Sequence, residues 1–124
     1  MNTTPNISSS DPEIVYAEAP SITREISWVA RTSTDRPFGR EADREFWLRK
    51  AALLDRIALA EEAPYAPSVS AEAASLAGNA ARRLAEYDAA HYGLSPKGAE
   101  LATDADHREY VREQYREWSL TQLI

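Results

Sequence analysis

The stretch EADREFWLRKAALLDRIALAEE, which runs from Glu41 to Glu62, decides the fold of this chain. Its apolar residues recur at the three- and four-residue spacing of one helix face. They form two adjacent rows: Trp47, Ala51, Leu54 and Ala58, and Phe46, Leu53 and Ile57. Glu45 and Arg49 stand in the favourable i, i+4 order at the edge of that face. Prolines 64 and 67 predict that this amphipathic helix ends near Glu62.

A second helix is predicted from about Ala71 to Tyr92. Ser68 or Ser70 is the candidate N-cap, and Gly93 followed by Pro96 predicts the end of the helix. One face carries the stripe Leu76, Ala80, Leu84, Tyr87 and His91. Small residues would let a neighbouring helix approach closely: Ala73, Ala77, Gly78, Ala80 and Ala81.

A third helix is predicted from about Asp104 to Leu120. Thr103 can cap it, and Asp106 stands three residues later in the place of a capping-box acid. Its apolar stripe is formed by Val111, Tyr115 and Trp118. Arginines on one flank and glutamates on the next are typical of a solvated helix face. They are Arg108, Arg112 and Arg116, and Glu109, Glu113 and Glu117.

Helices joined by short loops predict an all-α fold, a small three-helix or four-helix antiparallel bundle over residues 41 to 124. Alanine supplies 22 of the 124 residues, so the core depends on about thirty larger side chains. Large residues on the first and third helices should pack against the small ones on the second. The predicted core residues are Trp47, Leu54, Ile57, Leu76, Leu84, Val111 and Trp118.

Residues 1 to 40 predict an N-terminal arm that is extended or disordered. Residues 1 to 20 are rich in Ser, Thr, Asn and Pro, a composition typical of a chain without a packed core. Residues 32 to 40 are expected to form a linker or turn, because Pro37 and Gly39 break regular structure.

Residues 22 to 31 are the short ordered segment that we expect within the arm. Ile22, Ile26 and Val29 fall at helical spacing, whereas the two isoleucines and Trp28 fall on one side of a strand. So short a run does not decide between helix and strand. Trp28 is a natural anchor for a partner, because Trp and Arg are enriched among interface hot spots. Permanent packing of this segment on the bundle is the alternative.

The net charge of −6 is unevenly spread. Residues 24 to 60 carry eight bases and six acids, whereas residues 61 to 124 carry six bases and eleven acids. An acidic chain argues against non-specific nucleic-acid binding, which needs a basic surface. The chain has no cysteine, no apolar run of membrane-spanning length and no secretory signal at its N-terminus. We therefore expect a cytoplasmic protein and no membrane partner.

No catalytic pattern stands out. His91 and His107 lie near Asp88, Asp104 and Asp106 in the sequence, and an enzyme that uses these histidines ranks last among our hypotheses. None of the strong metal-ligand spacings, phosphate loops or nucleophile–base arrangements is present. We expect no catalytic residue, no cofactor and no metal, and thus no enzyme.

The function we expect is that of a non-enzymatic protein-interaction module, such as an adaptor, an inhibitor or a small accessory subunit. It would bind another protein, or a second copy of itself, through the arm and the face of the first helix. The candidate partner-binding residues are Ile22, Ile26, Trp28, Arg31, Arg40 and Arg44. The alternative is a small nucleic-acid-associated regulator that uses the basic first helix through Arg40, Arg44, Arg49 and Arg56.

Overall fold

The computed structural model describes residues 11–37, 39–62, 67–92 and 101–122, and every regular element in these ranges is an α-helix. The five helices are α1 (Pro12–Val15), α2 (Ile22–Asp35), α3 (Arg44–Glu62), α4 (Pro67–Tyr92) and α5 (Asp104–Thr121). Helices α3, α4 and α5 pack on one another, α2 lies on α3, and α1 lies on α5. The all-α class is confirmed, whereas the number of helices in the described ranges exceeds the predicted three or four.

The helix ends test the predicted caps. The Thr103 hydroxyl accepts a hydrogen bond from the Asp106 amide at 3.0 Å, and the Asp106 carboxylate accepts one from the Thr103 amide at 3.1 Å. The predicted capping box of α5 is therefore confirmed. The predicted cap of α4 at Ser68 or Ser70 is wrong, because the helix already begins at Pro67. Proline is favoured there because the first helical N–H has no intrahelical partner.

The described part of the predicted arm is helical. Residues 22–31 adopt a helix rather than a strand, and residues 32–35 continue it, so the predicted linker is wrong for these four residues. The Ser21 hydroxyl starts α2 by accepting from the Arg24 amide at 3.2 Å, and no breaker follows before Pro37. Residues 12–15 form α1, which corrects the expectation of an extended chain there. Residues 1–10 and the predicted C-cap at position 93 lie outside the described residues.

The hydrophobic core has two clusters. The larger joins α1, α3, α4 and α5 through Val15, Leu48, Ala51, Ala52, Ala81, Leu84, Ala85, Tyr110, Val111 and Tyr115. The smaller lies between α3 and α4 and consists of Ala58, Ala73 and Ala77. Alanines on both helices thus let α3 and α4 approach closely, as the small-residue pattern predicts.

The predicted core is confirmed in part. Leu84 and Val111 are fully buried. Four further predicted residues are only half-buried: Trp47, Leu54, Ile57 and Trp118. The prediction is wrong for Leu76, which is 52% exposed, whereas the neighbouring Ala77 is fully buried. Two faces of α4 could have packed against α3, one that contains Leu76 and one that contains Ala73, Ala77 and Ala81. The alanine face makes the contact, because small residues permit a closer approach of the two helices.

The centre of the fold is a buried carboxylate. Asp55 on α3 is 1% exposed. One of its oxygens accepts from Arg108 Nε at 2.7 Å and from Arg112 Nη2 at 2.9 Å. The other accepts from Arg112 Nε at 2.8 Å and from the Tyr16 hydroxyl at 2.7 Å. The predicted solvated arginine flank of α5 is therefore wrong for these two arginines, which tie α5 and the end of α1 to α3.

Three tyrosines pack in or against the larger core cluster: Tyr110 and Tyr115, which are buried, and Tyr16, which is half-buried. Burial, followed by the charge of Asp55 and the hydrogen bond to it, raises the pKa of Tyr16 well above its ordinary value. Burial also raises the pKa of Tyr110 and Tyr115. Each phenol therefore keeps its proton in the folded chain at a pH where the unfolded chain has released it.

We expect loss of the Asp55 charge to destabilise the fold strongly. Asp55→Asn should lower the free energy of unfolding by about 3–5 kcal/mol, because it removes the charge that the buried Arg108 and the half-buried Arg112 share. Urea denaturation followed by circular dichroism measures the change. The matched control is Glu45→Gln, which removes an exposed partner of Arg49 and should cost less than about 1 kcal/mol. Equal losses in the two variants would contradict the central role of Asp55.

Stability should fall as the pH rises above the ordinary tyrosine pKa of 10.0. Above that pH, unfolding releases protons that the folded phenols retain, so the free energy of unfolding declines by about 1.4 kcal/mol per pH unit and phenol. Tyr16→Phe should remove the contribution of one phenol and make the decline of the free energy of unfolding with pH correspondingly shallower. Denaturant titrations between pH 9 and 11 measure this slope. Tyr92→Phe, at an exposed tyrosine, is the control, and identical slopes in all three proteins would contradict the expectation.

Candidate functional site

Helix α2 is attached to α3 by charge. Glu25 is 2% exposed and is the only fully buried residue among the 14 of α2, all of which are described. Arg49 on α3 donates to both of its carboxylate oxygens, from Nη2 at 2.5 Å and from Nε at 3.1 Å. Its Nη1 donates to Glu45 at 2.9 Å, which confirms the i, i+4 pair read from the sequence. Such a bidentate pair fixes the orientation of α2 as well as its position.

The same arginine holds the predicted anchor tryptophan. The guanidinium of Arg49 lies 3.6 Å from the centre of the Trp28 ring and 5.6 Å from that of Trp118, a cation–π arrangement. Burial lowers the pKa of Arg49, but the hydrogen bonds to Glu25 and Glu45 outweigh it and raise the pKa overall. Arg49 therefore stays charged, and the half-buried Trp28 is held on the surface of α3.

Helix α2 also carries a row of apolar residues that the rest of the described chain covers only in part. Ile22, Ile26 and Val29 follow one another at the i, i+4, i+7 spacing of a helix face, and we call them the α2 stripe. Ile26 is 47% exposed, and the other two are half-buried. Consecutive helical residues are about 100° apart, so Ile26 points well away from the direction in which Glu25 meets α3. Ile26 consequently borders solvent, whereas Ile22 and Val29, three residues before and four after Glu25, lie nearer the contact with α3 and are half-buried.

The three predicted binding arginines do not lie together. Arg31 is exposed on α2, nine residues after Ile22 and thus on the opposite side of the helix. Arg40 is exposed in the turn before α3. Arg44 lies at the start of α3 and donates to both oxygens of Asp88 on α4, at 2.7 and 2.9 Å. Of the six predicted residues, the structure therefore places Ile22, Ile26, Trp28 and Arg31 on α2, with the first two on one side.

The residues around Arg44 were not among the predicted site residues. Its Nη2 also donates to Gln114 Oε1 at 2.9 Å, and the Tyr110 hydroxyl donates to Asp88 at 2.5 Å. Burial, and then the hydrogen bond to Asp88, raises the pKa of Tyr110. The sequence does indicate that Asp88 is buried, because it comes four residues after the apolar Leu84 and therefore lies on the same face of α4.

The basic face proposed for nucleic acid is largely occupied within the chain. Arg44 and Arg49 pair with buried carboxylates, and the guanidinium of Arg56 lies 5.7 Å from the Tyr16 ring. Arg40 makes no ion pair with the residues that the structure describes. Phosphate binding uses cations that are free to exchange small counterions, so this face offers less than its sequence suggests.

Both histidines have local partners. His91 Nδ1 lies 2.9 Å from the carbonyl oxygen of Tyr87, on whose ring the imidazole stacks. His107 Nδ1 lies 2.7 Å from the carbonyl oxygen of Thr103. In each case the carbonyl belongs to the residue one helical turn earlier. Within the described ranges, no group of three or more His, Cys, Asp or Glu residues is placed to hold a metal ion.

No protein-family model, curated protein sequence or solved structure matches this chain. In the part of the chain that the structure describes, no helix combines the length and apolar character needed to cross a bilayer.

We expect the Glu25–Arg49 pair to control the attachment of α2. Arg49→Met should leave the buried Glu25 uncompensated, at a cost of about 3–5 kcal/mol. Amide hydrogen exchange should then quicken in α2 more than in α4. The double variant Glu25→Met with Arg49→Met contains no buried charge at this position and should regain much of the lost protection. A double variant that exchanges as fast as the single one would contradict this account.

Proposed function

We propose that the chain is a non-enzymatic protein-interaction module that binds a partner protein through α2. The observation that carries the proposal is the α2 stripe, in which Ile26 is 47% exposed on a helix whose only fully buried residue is Glu25. Full burial of an isoleucine side chain contributes about 1.5–3 kcal/mol. A row of incompletely buried apolar residues at helical spacing therefore offers binding free energy that the folded chain has not used.

The mode of binding we propose is that of an amphipathic helix in an apolar groove of the partner. Helix α2 is already formed and is attached through Glu25 and Arg49, so binding would not require the helix to be ordered first. Trp28 lies on the other side of Glu25 from the α2 stripe, where Arg49 holds its ring. Tryptophan is a side chain that interface hot spots favour, and here it is half-buried and fixed in place.

The partner is another protein or a second copy of this chain. The nucleic-acid alternative ranks lower, because the net charge is −6 and three of the four arginines it requires make contacts within the chain. The role as adaptor, inhibitor or accessory subunit, and the cytoplasmic location, stay predictions from the sequence.

We expect Ile26→Asp to abolish partner binding, because a carboxylate in the α2 stripe would have to be desolvated at the interface. Tagged wild-type and variant chains are used to capture proteins from the native lysate, with and without nuclease, and bound proteins are quantified by mass spectrometry. Light scattering of the purified chains tests self-association. A nuclease-resistant partner, or the dimer itself, should fall at least tenfold, which corresponds to about 1.4 kcal/mol.

The matched control is Ser27→Asp, which adds the same charge at the next, exposed position of α2 and should leave binding unchanged. Melting temperatures of both variants should stay close to that of the wild type, because neither residue is buried. Trp28→Ala should weaken the same interaction. Equal capture by the Ile26 and Ser27 variants would refute binding through the stripe, and partners that disappear with nuclease would favour the nucleic-acid alternative.

A further inference from the structure

A groove lies where the start of α3, the end of α4 and the second half of α5 meet. Its volume is about 570 Å³, which falls within the range of small-molecule binding sites. Three aromatic residues line it, Tyr92, Tyr110 and Trp118, together with the polar side chains of Arg44 and Gln114. The lining therefore combines apolar ring surface with hydrogen-bonding groups, as ligand sites generally do.

The hydrogen-bonding groups of the groove are unequally used. Both oxygens of Asp88 already accept, from Arg44 and from the Tyr110 hydroxyl. Gln114 Oε1 accepts from Arg44, and this fixes the orientation of the amide, because a guanidinium group can only donate. Gln114 Nε2 donates no hydrogen bond to any residue in the described ranges, and the hydrogen bonds of Arg44 to Asp88 and Gln114 use only Nε and Nη2. Around the Arg44–Asp88 ion pair the acceptors are therefore occupied and the remaining hydrogen-bonding capacity is that of donors, whereas the exposed Glu117 carboxylate is a further acceptor in the lining.

The charge of the groove limits what these donors can bind. Arg44 and Asp88 form an ion pair, so their charges largely offset each other. Glu117, also in the lining, is exposed and adds a negative charge. A phosphate dianion would be repelled by two carboxylates, whereas a monoanion has less repulsion to overcome. A carboxylate also matches the planar geometry of guanidinium and amide donors.

We propose that this groove binds a small aromatic carboxylate. The carboxylate accepts hydrogen bonds from Arg44 and Gln114, and the ring of the ligand lies against Tyr92 and Trp118, where stacking adds to the burial of apolar surface. The site is separate from the α2 stripe proposed to bind protein, since none of the residues of that stripe lines the groove. Ligand binding and protein binding can therefore be tested independently.

The experiment compares carboxylates with their neutral amides. Phenylacetate and 3-phenylpropionate, and phenylacetamide and 3-phenylpropionamide, are titrated into the full chain and followed by nuclear magnetic resonance. The carboxylates should produce saturable shifts at the side-chain amide of Gln114 and the indole N–H of Trp118, and each amide should bind at least tenfold more weakly. Equal binding of acid and amide, or shifts that do not saturate, would overturn the proposal.

Two charge variants in the lining should act in opposite directions. Gln114→Glu keeps the size of the side chain but replaces its donors with a negative charge, so the affinity for phenylacetate should fall at least tenfold. Glu117→Gln removes a repelling charge from an exposed residue and should raise the affinity a few-fold. If both variants changed the affinity for phenylacetate in the same direction, or if neither changed it, carboxylate recognition would be contradicted.

A third variant tests the aromatic wall without disturbing the core. Tyr92 is 67% exposed, so Tyr92→Ala should leave the melting temperature nearly unchanged. Loss of its ring should weaken the binding of 3-phenylpropionate several-fold, while acetate, which has no ring, should bind weakly to the wild type and the variant alike. Unchanged affinity for 3-phenylpropionate would remove Tyr92 from the site and overturn the proposed placement of the ligand ring.

Discussion

The rest of the structure depends on the burial of Asp55. Moving a carboxylate out of water costs several kcal/mol, and the cost is offset only when charged partners and hydrogen bonds surround the group. Arg108, Arg112 and Tyr16 supply four hydrogen bonds to it. The alanines between α3 and α4 allow close approach but define register poorly, because they bury little area. An ion pair defines the register of the helices, because its directional geometry is satisfied at only one rotation of α5 against α3.

The same arrangement recurs at two other helix contacts. Glu25 on α2 pairs with Arg49 on α3, and Asp88 on α4 pairs with Arg44 on α3. Each contact joins a nearly buried carboxylate to an arginine on a different helix. Arginine suits these contacts better than lysine would, because the planar guanidinium bonds two oxygens at once and a lysine ammonium does not.

Local sequence patterns predicted the long helices, whereas the way the helices pack depended on contacts between residues far apart in the sequence. The end of α3 and the capping box of α5 follow from nearby residues in the sequence, whereas α3 begins at Arg44, three residues after the predicted start. The outward position of Leu76 depended on which stripe of α4 met α3, and no local pattern decides that. The burial of Asp55 could have been predicted, because it stands four residues after Ala51 on the buried face of α3. In the candidate site, helical spacing gave the α2 stripe, but the role of Arg44 depended on a carboxylate 44 residues away.

The charged attachment of α2 explains why an apolar row remains available on it. A helix that docked through its isoleucines would bury them in the monomer and leave nothing for a partner. Because Glu25 and Arg49 form the contact instead, α2 is fixed in place while Ile26 stays at the surface. The bidentate geometry of the pair also allows one orientation of the helix, so the stripe is presented in a constant direction. A binding surface that is preorganised in this way loses little conformational entropy when a partner covers it.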